Sequence, residues 1–220
     1  YIFPDSQITF LTLNEYAPLL EMHPDIDTLI SIKRNQNLNK LLELRTYLKL
    51  KEFNVIYDLH NSIRSNVLTY KISEKIHRIR KPRFARSLLF FFHVNKFEKT
   101  FSSLRLFHDN IGEIWKSNDK IPPTYIKISK FEKVKAIKFI NSKGINGDFL
   151  AIIPGAAWKQ KQWPSKNYIT ALEKINLPAV LIGSKKDIIC NEIAYGYKKA
   201  FNLIGKTDLR LALSIISNAK

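Results

Sequence analysis

The residues best suited to chemistry lie in one stretch, from Asp148 to Lys166, which reads DFLAIIPGAAWKQKQWPSK. Its apolar run predicts a strand that breaks at Pro154, and its Trp-Pro-Ser sequence is typical of a helix start. Lys159 and Lys161 lie between the two. Backbone N–H groups of a glycine turn and the positive end of a helix dipole both favour anions, so the stretch predicts a phosphate site. An ordinary strand–helix loop with solvated lysines fits the same pattern.

The composition indicates the class of partner. The chain has 220 residues, 45% of them hydrophobic, which is enough for one large domain or two small ones. A formal net charge of +17 implies an anionic partner: nucleic acid, an acidic membrane surface or a phosphorylated substrate. The one cysteine, Cys190, excludes an internal disulfide framework, indicates a reducing compartment and is expected to be buried. No apolar run reaches the roughly 18 residues of a membrane span, and we expect no signal peptide.

Strands that alternate with helices must position these residues. The first half predicts strands at 7–13, 26–32 and 55–59, with helices at 14–22, 38–51 and 107–116. The second half predicts strands at 149–153, 178–182 and 201–204, with helices at 130–143, 165–175, 187–200 and 209–219. This alternation predicts an α/β fold with parallel sheets, whose ligands collect at the carboxyl ends of the strands. The Pro122-Pro123 pair marks a linker, so we predict domains at residues 1–122 and 123–220.

Polar residues follow two of the predicted strands. Asp58, His60 and Arg64 come after the third strand, and we predict that they lie near a cleft. A histidine at such a position is as often structural as functional. Asp187 follows the strand 178–182 and begins a helix, which its side chain could simply cap.

A basic segment, residues 71–86, carries seven Lys or Arg and one acidic residue. Residues 31–100 hold 16 Lys or Arg and five Asp or Glu, a net of +11, so most of the excess charge lies here. Pro82 favours a loop or a frayed helix end. The segment predicts docking onto phosphates or an anionic membrane, with a solvated basic face as the alternative.

The nearby phenylalanines are expected to enter the core or an interface rather than to stack on bases: Phe84, Phe90, Phe91 and Phe92. No helix-turn-helix, zinc-ligand or RNA-binding pattern accompanies the charge, so nucleic acid is the weaker interpretation.

Five segments, taken together, resemble a known family. They read DIDTLISI from residue 25, YDLHNSIRSN from 57, PGAAWKQKQWPSKNYITAL from 154, LIGSKKD from 181 and FNLIGKTDLRLALSIISNA from 201. In this order and spacing they are similar to glycosyltransferase family 9, the ADP-heptose:lipopolysaccharide heptosyltransferases and their relatives. The resemblance covers nearly the whole chain, and no single segment would suffice for it.

The resemblance implies a GT-B-like fold of two Rossmann-like domains with parallel sheets facing a cleft, both incomplete here. The donor nucleotide sugar would bind mainly to the second domain. Lys161 matches a lysine that contacts the donor diphosphate, and Asp187 matches an acid used on the adenosine ribose, which suits a carboxylate acceptor. The two alanines after Gly155 offer no hydroxyl, which leaves backbone N–H contacts to phosphate. The donor-binding residues implied are Gly155, Ala156, Ala157, Lys161 and Asp187, and the acceptor-side residues are His60 and Arg64.

The chain departs from the family pattern in three places. Matches are absent for the loop whose aspartate acts as general base and for an Asp-Ser-Gly-x-x-His segment that grips the donor phosphates. We therefore expect a fragment truncated at both ends, without a catalytic residue of its own and inactive as it stands. Asn61 stands where the family has glycine.

For the parent protein, the resemblance implies inverting, metal-independent transfer of heptose from ADP-heptose, without a cofactor. The acceptor would be a phosphorylated lipid-linked saccharide, and the enzyme would lie in the cytoplasm, peripheral to the anionic inner face of the inner membrane. Two alternatives stay open: a non-catalytic nucleotide-sugar-binding remnant, and a basic nucleic-acid-binding protein.

Overall fold

The computed structural model describes residues 5–111 and 120–220. The chain divides into two compact units: Tyr1–Ser6 with Ile32–Tyr125, and Gln7–Ser31 with Ile126–Lys220. The second unit thus includes an early segment of the chain. One of the contacts that join this segment to the rest of the unit is a hydrogen bond from Arg210 to the carbonyl of Pro18, at 3.4 Å. The predicted domains at residues 1–122 and 123–220 stay a prediction.

The elements of the first half are short. Its strands are β1 Thr9–Leu13, β2 Thr28–Ile32, β3 Val55–Asp58 and β4 Lys75–Arg78. Its helices are α1 Leu38–Lys49, α2 Ile63–Thr69, α3 Arg83–Phe92 and α4 Ser103–His108, and Ala17–Leu19 form a 3₁₀ turn. β1 pairs with β2, and β3 pairs with β4 in parallel.

The second half follows the predicted alternation closely. Its strands are β5 Leu150–Ile152, β6 Ala179–Leu181 and β7 Ala200–Asn202. Its helices are α5 Lys130–Asn141, α6 Ser165–Ile175, α7 Ile189–Gly196 and α8 Leu209–Ile216, with a 3₁₀ turn at Lys159–Lys161. The strands form one parallel sheet in the order β5-β6-β7. The predicted α/β fold with parallel sheets is confirmed.

β6 is the centre of this unit, because side chains on both of its faces are buried. Val180 packs on one side with residues of α5 and α8, among them Ile140 and Ile215. Leu181 packs on the other side with residues of α6 and α7, among them Leu172 and Cys190. A strand covered on both faces reads as a continuous apolar run, which is why its position could be predicted. Cys190 is buried, as expected.

Two predictions about local structure are wrong. Residues 14–22 form only the 3₁₀ turn, not a helix of that length. The helix predicted at 107–116 does not begin at residue 107, because α4 ends at His108; the rest of that prediction, from residue 112, lies outside the described residues. By contrast, the loop or frayed helix end predicted around Pro82 is confirmed, because residues 79–82 connect β4 to α3 without regular structure and Pro82 is the N-cap residue of α3.

Candidate nucleotide-sugar site

The candidate site lies at the carboxyl ends of β5 and β6. Each of these strands is followed closely by a glycine, Gly155 after β5 and Gly183 after β6. A methyl group added to Gly155 would lie 2.3 Å from Oδ1 of Asp187, and one added to Gly183 would lie 3.0 Å from its Oδ2. The carboxylate of Asp187 therefore rests directly against bare backbone. Only glycine leaves it that room.

Asp187 is held by the residue that follows Gly183. Its Oδ2 accepts hydrogen bonds from the backbone N–H of Ser184 at 2.6 Å and from the Ser184 hydroxyl at 2.8 Å. Its own N–H donates to the Ser184 carbonyl at 2.9 Å. Oδ1 accepts no hydrogen bond from the residues that the structure describes. One carboxylate oxygen is thus fixed, and the other is available to a ligand donor such as a hydroxyl.

Asp187 does not cap the helix after it, which was the simple alternative for this residue. α7 begins at Ile189, its N-cap position is Ile188, and no side chain caps it. The carboxylate instead turns back toward Ser184. The sequence reasoning singled out Asp187 but missed Ser184, although the Gly-Ser-Lys-Lys-Asp turn places it three residues before the acid.

The backbone after β5 supplies donors. Among the described residues, no acceptor receives the N–H groups of Gly155, Ala156 or Ala157. Successive free N–H groups in a turn form a concavity that suits an anion. Because neither alanine has a hydroxyl, the donors at these three positions are the backbone N–H groups; their contact with a donor phosphate stays a prediction.

Two lysines follow this turn. Lys159 and Lys161 lie in the 3₁₀ turn before α6, and both are exposed. Neither side chain makes a hydrogen bond or an ion pair with a described residue, so both ammonium groups can move toward a ligand. α6 begins at Ser165 without a side-chain cap, so its first N–H groups and its dipole add positive potential at the same end of the sheet.

The residues that follow β7 contact the turn after β6. Gly205 has a φ of +63°, and its N–H donates to the Gly183 carbonyl at 2.8 Å. The aliphatic part of Lys185 lies where a side chain at residue 205 would be, 2.4 Å from an added Cβ. Gly205 is therefore required both by its backbone conformation and by its contact with Lys185.

The acceptor-side candidates belong to the other compact unit, where Asp58 organises the loop after β3. Its buried carboxylate accepts from the N–H groups of His60 at 3.0 Å and Asn61 at 2.7 Å, and from the Ser65 hydroxyl at 2.8 Å. Arg78 lies 3.9 Å from the same carboxylate. Asp58 therefore has a structural role, since these groups use its acceptor capacity and hold the start of α2.

The side chains of His60 and Arg64 differ in the contacts that they make. The ring of His60 is exposed, and its Nδ1 lies 3.2 Å from the Ser62 hydroxyl. Arg64, in the first turn of α2, donates from a guanidinium nitrogen to the carbonyl of Arg34 at 2.7 Å, so this side chain ties α2 to the loop after β2. The acceptor-side role of both residues stays a prediction.

Asn61, where the family has glycine, adopts a left-handed backbone conformation that asparagine can also occupy. Its φ is +43°, a region that asparagine tolerates better than most residues. Its side-chain amide also donates to the Ile79 carbonyl at 2.9 Å, which ties the loop to the end of β4. The replacement of glycine at this position is therefore no sign that the loop has degenerated.

Comparison with known structures agrees with this architecture. A glycosyltransferase of family 9 from Veillonella parvula matches with a TM-score of 0.76 at 17% identity, over 98% of this chain and 66% of that one. The ADP-heptose lps heptosyltransferase II of E. coli matches with a TM-score of 0.69 at 19% identity, over 99% and 69%. A heptosyltransferase of E. coli determined with ADP-2-deoxy-2-fluoro heptose matches with a TM-score of 0.61 at 15% identity, over 99% and 72%. The chain thus spans about two thirds of the length of these relatives and shares their GT-B-like fold.

Sequence comparison gives the family. No curated protein sequence matches the chain significantly. The model of glycosyltransferase family 9 (heptosyltransferase), however, matches residues 41–220, which include the site after β5 and β6. With more than half of its length in that match, the chain belongs to glycosyltransferase family 9.

Proposed function

We propose that the protein transfers heptose from ADP-heptose to a sugar hydroxyl, and that the donor binds at the candidate nucleotide-sugar site. The observation that carries the proposal is the half-satisfied carboxylate of Asp187, held against Gly155 and next to unused backbone N–H groups. Family membership and the donors named for the E. coli relatives support it.

Each part of the site has a task that its chemistry fits. The free oxygen of Asp187 would accept hydrogen bonds from the ribose hydroxyls. The N–H groups of Gly155 to Ala157 and the start of α6 would receive the diphosphate. Lys161, with Lys159 beside it, would neutralise the charge that develops on the departing diphosphate, so that transfer needs neither a metal ion nor a cofactor. The anomeric carbon would be attacked from the face opposite the diphosphate, which inverts its configuration.

The proposed acceptor is a phosphorylated, lipid-linked saccharide of lipopolysaccharide core synthesis. The net charge of +11 in residues 31–100 favours such an anion, and it also favours a peripheral position at the anionic inner face of a cytoplasmic membrane. No helix within residues 5–111 and 120–220 is long and apolar enough to cross a membrane. His60 and Arg64 are the residues proposed to face the acceptor.

Calorimetric titration with ADP and with ADP-heptose tests the donor site. Lys161→Ala should weaken ADP binding about tenfold or more, because a charge-assisted contact contributes about 1.5–3 kcal/mol. Lys174→Ala is the matched control: it removes the same charge in the last turn of α6, away from the site. Equal affinities for the two variants would refute the role of Lys161.

A turnover assay separates the enzyme from a binding remnant. Release of ADP that depends on a lipid-linked acceptor supports transfer, whereas ADP binding without turnover in the full-length parent favours a non-catalytic remnant. Binding of random oligonucleotides that ADP does not displace, and that weakens steeply with salt, would favour the nucleic-acid interpretation.

A further inference from the structure

The surface of α3 carries an unusual concentration of exposed aromatic side chains. Phe84, Phe90, Phe91 and Phe92 are 76%, 77%, 69% and 70% exposed. The sequence predicted that these residues would enter the core or an interface. Their exposure excludes the core and leaves the interface as the remaining alternative. Four phenylalanines exposed to solvent on one helix form an apolar patch, and such a patch indicates an interaction surface.

The geometry of α3 gathers much of this apolar surface on one side. Phe84 and Phe91 are seven residues apart, which places them on one face of the helix, and the ring of Phe90 contacts that of Phe91 edge-on at 5.0 Å. A shallow depression of about 740 Å³ opens beside the last two and is also lined by Leu89 and Phe97. His93 is the C-cap residue, with a φ of +57°, so the helix and its apolar patch end at Phe92.

The sequence that contains α3 is strongly basic. Residues 75–97 carry seven Lys or Arg and no Asp or Glu. Arg83 donates to the Asn61 carbonyl at 3.1 Å, which fixes the start of α3 to the loop after β3. Arg86 is exposed within the helix, at the edge of the depression. A helix that exposes apolar rings and arginines, and has no acidic residue in its own sequence, matches an anionic lipid surface, where rings enter the acyl boundary and cations meet the headgroups.

We propose that α3 is the element that binds the protein to an anionic bilayer, with Phe84, Phe90 and Phe91 entering the interface and Arg86 on the lipid headgroups. The inference goes beyond the proposed function, because it assigns membrane binding to one helix. It does not depend on the donor site, since lipid binding is measured without nucleotide. A failure here and a failure of donor binding are therefore separate results.

Vesicle flotation tests the assignment. The chain is mixed with phosphatidylcholine vesicles, alone or with about one third phosphatidylglycerol, at low salt and at 0.5 M salt. The wild type should bind the anionic vesicles. The double variant F90S/F91S should bind at least tenfold less at both salt concentrations, because it lacks the apolar contribution. Arg86→Gln should weaken binding at low salt only.

The matched control is Phe131→Ser, which changes a phenylalanine that is 76% exposed on α5 in the other compact unit. It should bind like the wild type. All of these side chains are exposed, so thermal unfolding is expected to be unchanged, and this measurement confirms that each variant folds. Equal loss in F90S/F91S and in the control, or vesicle binding that survives in F90S/F91S, overturns the proposal.

Two further outcomes would assign the patch to another partner. A wild type that sediments as a dimer, with F90S/F91S monomeric and no binding to anionic vesicles, would make the partner a second copy. Tight binding to oligonucleotides that F90S/F91S weakens, without binding to vesicles, would identify the partner as nucleic acid. Either result overturns membrane binding by α3.

Discussion

The ion pair between Glu132 and Arg210 should make the second compact unit sensitive to acid. Nε of Arg210 donates to Oε1 of Glu132 at 2.7 Å, and a terminal nitrogen donates to Oε2 at 2.7 Å. Ser129 donates to Oε2 from its N–H and from its hydroxyl, both at 2.8 Å. Burial by itself would raise the pKa of Glu132, but these bonds outweigh it and lower the pKa from its ordinary 4.5 to about 2.

The magnitude follows from this pKa. At about 1.4 kcal/mol for each pH unit, a pKa lowered from 4.5 to about 2 corresponds to about 3 kcal/mol of stability. Because the pKa in the folded state is the lower one, this contribution is fully present above the unfolded pKa. It is lost as the pH falls from about 5 to about 2. Both side chains are largely shielded from solvent, so little of it is screened.

Urea unfolding of the wild type and of Glu132→Gln, measured from pH 7 to pH 2.5, tests this reasoning. The variant should be less stable by about 2–3 kcal/mol at pH 7, and the difference should shrink toward zero as Glu132 takes up its proton. The matched control is Asp148→Asn, which breaks the pair of that carboxylate with Lys220 at an exposed site and should change the free energy of unfolding far less, because solvent screens an exposed pair. A Glu132→Gln difference that stays constant down to pH 2.5 would refute the ion pair as its source.

Three shorter predictions concern single positions. Gly155→Ala should weaken ADP binding severalfold in calorimetry, because the new methyl would displace the Asp187 carboxylate; unchanged affinity would contradict the site. Asn61→Ala should lower the free energy of unfolding by about 2 kcal/mol, since it places alanine at a φ of +43° and removes one hydrogen bond, whereas Asn61→Gly should cost less. Cys190 should react with iodoacetamide at pH 8 far more slowly than a free thiol, because burial, aided by the charge of Asp187, raises its pKa to about 11; rapid labelling of the folded chain would show that the site opens.

The sequence alone determined the donor half of the molecule in some detail. α6 spans Ser165–Ile175, as predicted, because the Trp-Pro-Ser sequence fixes its start and the periodic apolar residues fix its face. The strands β5 and β6 were found from their apolar runs, and the glycines after them marked the carboxyl edge of the sheet. These features are local, so neighbouring residues suffice to specify them.

The details of the same site required the fold. Asp187 was singled out from its place after β6, but its contact with Gly155 joins positions 32 residues apart. Whether its carboxylate would cap α7 or turn toward Ser184 depends on the space left by two glycines. The sequence indicated the residue, and its environment decided which of its oxygens is free.

In the first half, tertiary structure decided more. β4 is a basic sequence that no strand pattern reveals, and it becomes a strand through its parallel pairing with β3. Asp58 looked like a site residue, but its carboxylate is used by the loop that it holds. Residues 7–31 group with 126–220 through contacts such as that of Arg210 with Pro18, 192 residues apart in the chain. Such long-range pairings leave no local signal, because burial and hydrogen bonding between distant segments are set only when the chain has folded.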